Sequence, residues 1–161
     1  SFKYGRVDVR ALLPRGGKGI WPAIWMLGAN HSSVGWPACG EIDMMEMVGG
    51  NGKESTVHGN VFWAEEGEID RQGSKTVTGK DFTEEYHVFS ITWDESQIAW
   101  YVDNQKYHSF NITGPERTEF HENFFLIMNV AVGGNWPGSP DETTNFPTSM
   151  KVDYVRVFPD L

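Results

Sequence analysis

Three carboxylates fall within six residues in the segment Gly40-Glu-Ile-Asp-Met-Met-Glu46, where every intervening residue is apolar. Side chains of a β-strand alternate between its two faces, so Glu41 and Asp43 would share one face. Glu46 is then out of phase by one residue. A β-bulge at Met44-Met45 would absorb the extra residue and return Glu46 to that face, so the sequence predicts a row of three acids.

Two members of such a row, Glu41 and Glu46, could act as a catalytic carboxylate pair. Neighbours on one strand face stand about 6.5–7 Å apart, so the two long glutamates can lean toward each other across Asp43. Carboxyl groups about 5–5.5 Å apart are typical of retaining cleavage of a glycosidic bond. Because like charges raise the pKa of at least one member, we predict ionised Glu41 as nucleophile and protonated Glu46 as acid/base. Asp43 would position and tune both.

A solvated strand face of acids, opposite a buried apolar face, is the alternative interpretation of these three residues taken alone. The surroundings decide between the two. Apolar and polar residues alternate repeatedly along the chain, with Gly, Pro, Asn and Asp between the segments and almost no helical periodicity. Strands are predicted at residues 4–12, 20–26, 41–47, 56–63, 87–93, 98–102, 124–132 and 150–158. Eight strands in 161 residues indicate a single all-β domain, an antiparallel β-sandwich.

Composition narrows the range of partners. A net charge of -9 without any cluster of Lys and Arg argues against nucleic acid, and no apolar run is long enough to predict a membrane span. The 7 Trp, 10 Phe and 5 Tyr exceed the needs of a core of this size, which favours aromatic contact with a neutral ligand such as sugar. Cys39, the only cysteine, has no activating His motif and is interpreted as a small packed residue.

Several further segments accompany the three acids in a fixed order. They are Gly19-Ile-Trp-Pro-Ala-Ile-Trp-Met-Leu27, Trp36-Pro37, His58-Gly59, His87-x-Phe89-x-x-x-Trp93, Met128-Asn-Val-Ala-Val-Gly-Gly-Asn-Trp-Pro-Gly138 and Val152-Asp-Tyr-Val-Arg-Val157. With Glu41-Ile-Asp-Met-Met-Glu46, which matches the signature Glu-hydrophobic-Asp-x-x-Glu, they resemble glycoside hydrolase family 16. The similarity spans essentially the whole chain and is greatest to the laminarinase branch, the endo-β-1,3-glucanases.

The resemblance implies a concanavalin-like jelly roll with an open concave cleft, and retaining endo-hydrolysis of β-1,3-glucan or mixed-linkage β-glucan. Position by position, Glu41 matches the nucleophile, Asp43 the helper acid and Glu46 the acid/base. No cofactor is expected for the chemistry. Asp153 resembles a ligand of the structural calcium found in many members, whose other ligands would come from residues upstream of Ser1.

Candidate substrate-binding residues are Trp21, Trp25, Trp36, His58, Asn129, Asn135 and Trp136. Indole faces stack on sugar rings, and asparagines can recognise hydroxyl groups. Trp21 and Trp25 share a strand face, so both point either to the cleft or to the interior. His58 matches a histidine near the acid/base, with a core histidine as the alternative. Trp93 and Trp100 are assigned to the core.

Members of the family usually carry about another third of a domain before the segment that begins at Phe2. Residues 1–161 are therefore expected to form one catalytic domain that lacks its N-terminal part, which leaves strand exchange or a partner chain as an expectation. A non-hydrolytic β-glucan-binding module and a fragment completed by a partner are the alternatives to an enzyme. Because a polysaccharide cannot enter a cell intact, a secreted or cell-surface location is expected.

Overall fold

Two five-stranded antiparallel sheets pack face to face in a computed structural model that describes residues 1–65, 68–77 and 80–159. The strands are β1 (Gly5–Leu12), β2 (Ile20–Gly28), β3 (Glu41–Glu46), β4 (Thr56–Glu65), β5 (Glu68–Val77), β6 (His87–Trp93), β7 (Gln97–Val102), β8 (Gln105–Asn111), β9 (Phe124–Val132) and β10 (Lys151–Phe158). A short helix, α1 (His31–Val34), and two 3-10 segments, Lys53–Ser55 and Pro115–His121, lie in the connections. The predicted β-sandwich of jelly-roll type is confirmed.

The strand order defines two surfaces with different uses. The site sheet has the order β5-β4-β3-β2-β9 and places the three acids on its central strand. The back sheet has the order β10-β1-β6-β7-β8. A central strand is hydrogen-bonded on both sides, so β3 is held by both β2 and β4.

All eight predicted strands are present, and two strands were missed. Both β5 and β8 lie at the edge of a sheet, where a strand needs no fully buried face. The sequence of β8 is mostly polar, and Phe110 is its one buried residue. Hydrogen bonding to the neighbouring strand holds these elements, and such pairing leaves little hydrophobic pattern to detect.

Alternating apolar side chains from both sheets form the core between them. In β1 the residues Val7, Val9 and Ala11 are buried, and the polar positions between them face outward. Trp93 and Trp100 of the back sheet are both buried, as predicted. The core thus lies directly beneath the strand that carries the acids.

Apolar side chains are also exposed at the free edges of the two sheets. Val132 projects from β9, and β10 exposes Val155, Val157 and Phe158. Strand exchange or a partner chain at such an edge remains a prediction. None of the helical segments in the described part of the chain has the length and apolar character needed to cross a bilayer.

Arg117 fastens the segment Pro115–His121 to the site sheet. Its guanidinium carbon lies 4.0 Å from the ring centroid of Trp63 and 5.3 Å from that of Phe110. One guanidinium nitrogen is also 3.7 Å from a carboxylate oxygen of Glu65. Because the guanidinium is largely shielded from water, its attraction to the aromatic faces is only weakly screened.

We expect Arg117→Ala to lower the free energy of unfolding by about 1–2 kcal/mol, since it removes a shielded cation from two rings. Urea denaturation followed by tryptophan fluorescence measures the change. Lys106→Ala, at an exposed position of β8, is the control and should change stability by less than about 0.5 kcal/mol. Equal effects of the two substitutions would contradict this role of Arg117.

Candidate active site

The central strand β3 carries the predicted β-bulge at Met44-Met45. Across to β4, Asp43 pairs with Asn60 and Glu46 pairs with His58, so two residues of β3 stand opposite one residue of β4. The register with β2 shifts at the same place. The bulge therefore turns Glu46 to the face of the other two acids while both methionines stay buried in the core.

The three acids line the floor of a depression of about 250 Å³ on the site sheet, which we call the cleft. Its lining comprises Trp21, Ala23, Trp25, Glu41, Asp43, Glu46, Asn129 and Ala131. Asp43 is 2% exposed and Glu46 is 8% exposed, whereas Glu41 is only half-buried. The acid nearest to open solvent is therefore the one predicted to attack the substrate.

Glu46 is held by one donor on each carboxylate oxygen. The indole N–H of Trp21 donates to Oε1 at 3.0 Å, and the side-chain amide of Asn60 donates to Oε2 at 2.9 Å. Burial raises the pKa of Glu46, and the hydrogen bonds from Asn60, Trp21 and Asp43 oppose that rise. A carboxyl group with a raised pKa and a fixed orientation suits a general acid.

Asn60 was missed in the sequence. It lies two residues after His58 on β4, so the period of a strand puts both side chains on the cleft face. Without the register between β3 and β4, nothing in the sequence indicates that Asn60 faces Glu46.

Glu41 receives a hydrogen bond from outside the sheets. The indole N–H of Trp36, in the loop between α1 and β3, donates to its Oε2 at 2.8 Å. Burial raises the pKa of Glu41, hydrogen bonds from Trp36 and Asp43 lower it, and the charge of Glu46 raises it again. The indole therefore favours the ionised form of Glu41, which is the form a nucleophile needs.

Asp43 is the most deeply buried of the three acids. Burial, the charges of Glu46 and Glu41, and hydrogen bonds to both raise the pKa of Asp43 well above its ordinary value. Its Oδ2 is buried and accepts no hydrogen bond from an N–H or hydroxyl group. A proton on Asp43 would itself supply a donor to a neighbouring glutamate. Folding thus favours a proton on Asp43 as well as on Glu46, and Glu46 as the proton donor stays a prediction.

The aromatic candidates lie along the cleft on both sides of the acids. Trp21 and Trp25 both point to the cleft face, and the indole N–H of Trp25 donates to Oδ1 of Asn129 at 2.8 Å. Trp136 is 42% exposed and meets the ring of Trp21 edge-on at a centroid distance of 5.4 Å. These rings form an apolar wall on the Glu46 side.

The remaining polar candidates divide into two groups. His58 is half-buried on the cleft face of β4, and its ring lies 5.0 Å from that of Trp136, so it is not a core histidine. Asn135 is exposed beside Trp136, and no described contact joins it to an acid. At the opposite end of the cleft, Trp36 is 49% exposed and its ring lies 5.9 Å from that of Phe62.

Asp153 lies on β10 of the back sheet, away from the cleft, and its carboxylate accepts a hydrogen bond from Arg10 Nη1 at 2.7 Å. Across residues 1–65, 68–77 and 80–159, no group of three or more His, Cys, Asp or Glu side chains is arranged to hold a metal ion. Asp153 thus has no such partners among the described residues, and its role as a calcium ligand stays a prediction.

Asp43→Asn should stabilise the fold at neutral pH. A pKa raised by folding means that Asp43 stabilises the fold fully only below its ordinary pKa of about 3.9, and this contribution is lost as the pH rises through the raised pKa. Asparagine stays neutral and avoids that loss. We expect the two proteins to be similarly stable near pH 3, and the variant to gain on the wild type as the pH rises to 7, measured by urea denaturation.

Asp94→Asn is the matched control with the opposite sign. A hydrogen bond from the hydroxyl of Ser96 is the main cause that lowers the pKa of Asp94, so its contribution is present at neutral pH and lost on acidification. This variant should lose stability relative to the wild type as the pH rises. A wild-type advantage over Asp43→Asn that grows between pH 3 and 7 would contradict the raised pKa of Asp43.

Several named proteins are similar to this chain in sequence and in fold. The chain is 39% identical over 170 residues to the glucan endo-1,3-beta-glucosidase A1 of Niallia circulans and 40% identical over 169 residues to a beta-glucanase of Rhodothermus marinus. Each alignment covers 98% of this chain, but 24% of the first relative and 58% of the second. The crystal structure of the laminarinase catalytic domain from Thermotoga maritima MSB8 superposes with a TM-score of 0.87 at 48% identity.

That superposition covers 99% of this chain and 65% of the laminarinase domain, so the chain spans less than two thirds of each of these proteins. The family model described as glycosyl hydrolases family 16 matches residues 1–156, which include the bulged strand, the three acids and the aromatic wall. The chain therefore belongs to glycosyl hydrolases family 16.

Proposed function

We propose that this chain is the catalytic part of a retaining endo-hydrolase of β-1,3-glucan. The observation that carries the proposal is the set of three acids on one face of β3, in which Glu41 and Glu46 are separately oriented by donors and flank a buried Asp43. Two carboxyl groups with distinct surroundings can take the two different roles that double displacement requires.

In the first step, Glu46 donates its proton to the glycosidic oxygen as the bond from that oxygen to the anomeric carbon breaks. Ionised Glu41 attacks the same carbon from the opposite face and forms a glycosyl ester. The leaving sugar departs as an alcohol that carries the proton. Trp36 holds Oε2 of Glu41, which leaves Oε1 to form the new bond.

In the second step, water replaces the departed sugar. Ionised Glu46 takes a proton from the water while the water oxygen attacks the anomeric carbon, and the ester bond to Glu41 breaks. Trp21 and Asn60 stabilise the charge that Glu46 carries between the two steps. Two inversions give a product with the original β configuration.

Protonated Asp43 would stabilise the negative charge on whichever glutamate is ionised. Its hydrogen bonds to Glu41 and Glu46 lower the pKa values of both, which favours whichever glutamate is ionised at a given step. A buried acid with a much raised pKa can remain protonated through the cycle and shift its donation between them. Asp43 therefore acts on both steps without bonding to the substrate.

The substrate class follows from the cleft and the relatives. Exposed indoles on both sides of the acids suit stacking on uncharged sugar rings, and the net charge of -9 disfavours anionic polymers. Relatives named for 1,3-glucan cleavage support the linkage, with mixed-linkage β-glucan as the second candidate. Because a polysaccharide cannot enter a cell intact, the enzyme must meet it outside, and we propose a secreted or cell-surface protein.

A glucan-binding module without turnover is the alternative from another class. Retention of all three acids, each oriented or buried as catalysis requires, argues against it. We expect the full-length protein to release reducing ends from laminarin, with the β-anomer appearing first by ¹H NMR. Glucan binding without new reducing ends would reject the enzyme.

Substitutions at the two glutamates should have separable effects. Glu41→Gln removes the nucleophile and should abolish turnover while leaving glucan binding intact. Glu46→Gln should lower the rate by about 10²–10⁴-fold, because proton transfer is lost. Azide needs no general base, so it should restore turnover of an aryl β-glucoside with a good leaving group in Glu46→Ala. Glu122→Gln, an exposed acid outside the cleft, is the control and should match the wild type.

The two limbs of the pH profile of kcat/KM should respond to different donors. Trp36→Phe removes the donor that favours ionised Glu41, so the pKa of Glu41 rises and the acid limb moves to higher pH. Asn60→Ala removes a donor to Glu46, so the pKa of Glu46 rises and the basic limb moves to higher pH. Trp36→Phe should therefore narrow the pH range of activity, and Asn60→Ala should widen it.

Asn129→Ala is the control for this pair, because its side chain accepts from Trp25 in the same cleft and has no described contact with an acid. It should leave both limbs in place even where it weakens binding. Movement of the same limb in both Trp36→Phe and Asn60→Ala would show that the roles of the two glutamates have been assigned incorrectly.

A further inference from the structure

We propose that Trp100, on the back sheet, is a positioning residue for the acids, because its indole N–H fixes the backbone of the bulged strand from behind. This inference rests on the proposed function. Trp100 contributes nothing to the cleft surface and touches no substrate. It acts through Asp43, whose main chain it holds.

The contact runs across the core, from one sheet to the other. Nε1 of Trp100 donates to the backbone carbonyl of Asp43 at 2.8 Å, and the indole is fully buried. The β-bulge begins at this residue, where the register with β4 is interrupted. Bulges disturb the ladder of backbone hydrogen bonds, and a buried carbonyl left without a donor costs free energy. The indole supplies a donor where the strand departs from regular pairing.

Gly59 makes room for this contact. It is the residue of β4 that lies between His58 and Asn60, opposite the bulge. A Cβ at this position would lie 2.6 Å from Cδ1 and 2.8 Å from Nε1 of Trp100, and 2.7 Å from Oη of Tyr107. Its backbone is outside the left-handed region, so the demand for glycine comes from space and not from conformation. The lack of a side chain at Gly59 thus leaves the space that the indole of Trp100 occupies.

The indole itself has little freedom to move. Its ring packs on His108 of β8 at a centroid distance of 4.8 Å, and its backbone pairs with Ile91 of β6. A rigid donor on the carbonyl of Asp43 limits rotation of that peptide and of the carboxyl group carried by the same residue. Glu46 follows three residues later across the bulge, so its direction depends on the same backbone path.

Trp100→Phe tests the inference, with Trp93→Phe as a matched control. Trp93 is equally buried, and its Nε1 donates to the backbone carbonyl of Phe120 at 3.0 Å, in a region away from the acids. Each substitution keeps an aromatic ring and removes one indole donor from a buried carbonyl. Both should lower the Tm by similar amounts in the full-length protein.

Of these two substitutions, only Trp100→Phe should alter catalysis on laminarin. We expect kcat to fall about 10–100-fold with KM within about twofold of the wild type, because small errors in the placement of reacting groups are costly. Its kcat/KM profile against pH should also shift, while that of Trp93→Phe should not. Gly59→Ala keeps the indole N–H but displaces the ring, so it should change kcat and the pH profile in the same direction.

All assays are run well below the Tm of each variant. Equal kcat values and pH profiles for Trp100→Phe and Trp93→Phe would overturn the inference, since loss of a buried hydrogen bond would then explain both. An inactive wild type would reject the proposed function instead.

Carboxyl ¹³C titration still decides the inference in that case. The pKa of Asp43 should move toward its ordinary value in Trp100→Phe, and an unchanged pKa would refute positioning.

Discussion

Burial of three carboxyl groups side by side is the constraint on which the rest of the site depends. Desolvation is the largest cause that raises the pKa of each acid, and for Asp43 the charges of its two neighbours add to it. The fold tolerates this because protons and N–H groups replace the lost water. Trp21, Trp36 and Asn60 come from β2, a loop and β4, so each donor is fixed independently.

Indole groups serve this site in a way that charged donors could not. A lysine or arginine next to Glu46 would stabilise its ionised form strongly and lower its pKa below the range useful for an acid. An indole N–H donates a single neutral hydrogen bond, orients the carboxylate and leaves its pKa raised. The same ring offers an apolar face to sugar, so Trp21 and Trp36 can combine orientation of an acid with contact to the substrate.

Much of the fold could be predicted from the sequence, because buried alternating faces leave a clear pattern. The edge strands β5 and β8 could not, since pairing with one neighbour holds them without such a face. The bulge was predictable because three acids with apolar spacers make sense on one face only with an extra residue. Contacts between residues far apart in the sequence could not be predicted. Asn60 meets Glu46 because of the register between two strands, and Trp100 meets Asp43 because of the packing between the two sheets. Local spacing encodes neither.

The extra residue in β3 decides which changes in length this strand can absorb. Surface loops around the cleft can gain or lose residues at little cost. In a regular strand, the loss of one residue turns every later side chain to the opposite face. Loss of one residue between Asp43 and Glu46 would instead remove the bulge and leave the glutamate on the cleft face, whereas loss of both would turn it inward, among the side chains of the core. The three acids can therefore share one face with one or two residues between Asp43 and Glu46, but not with none.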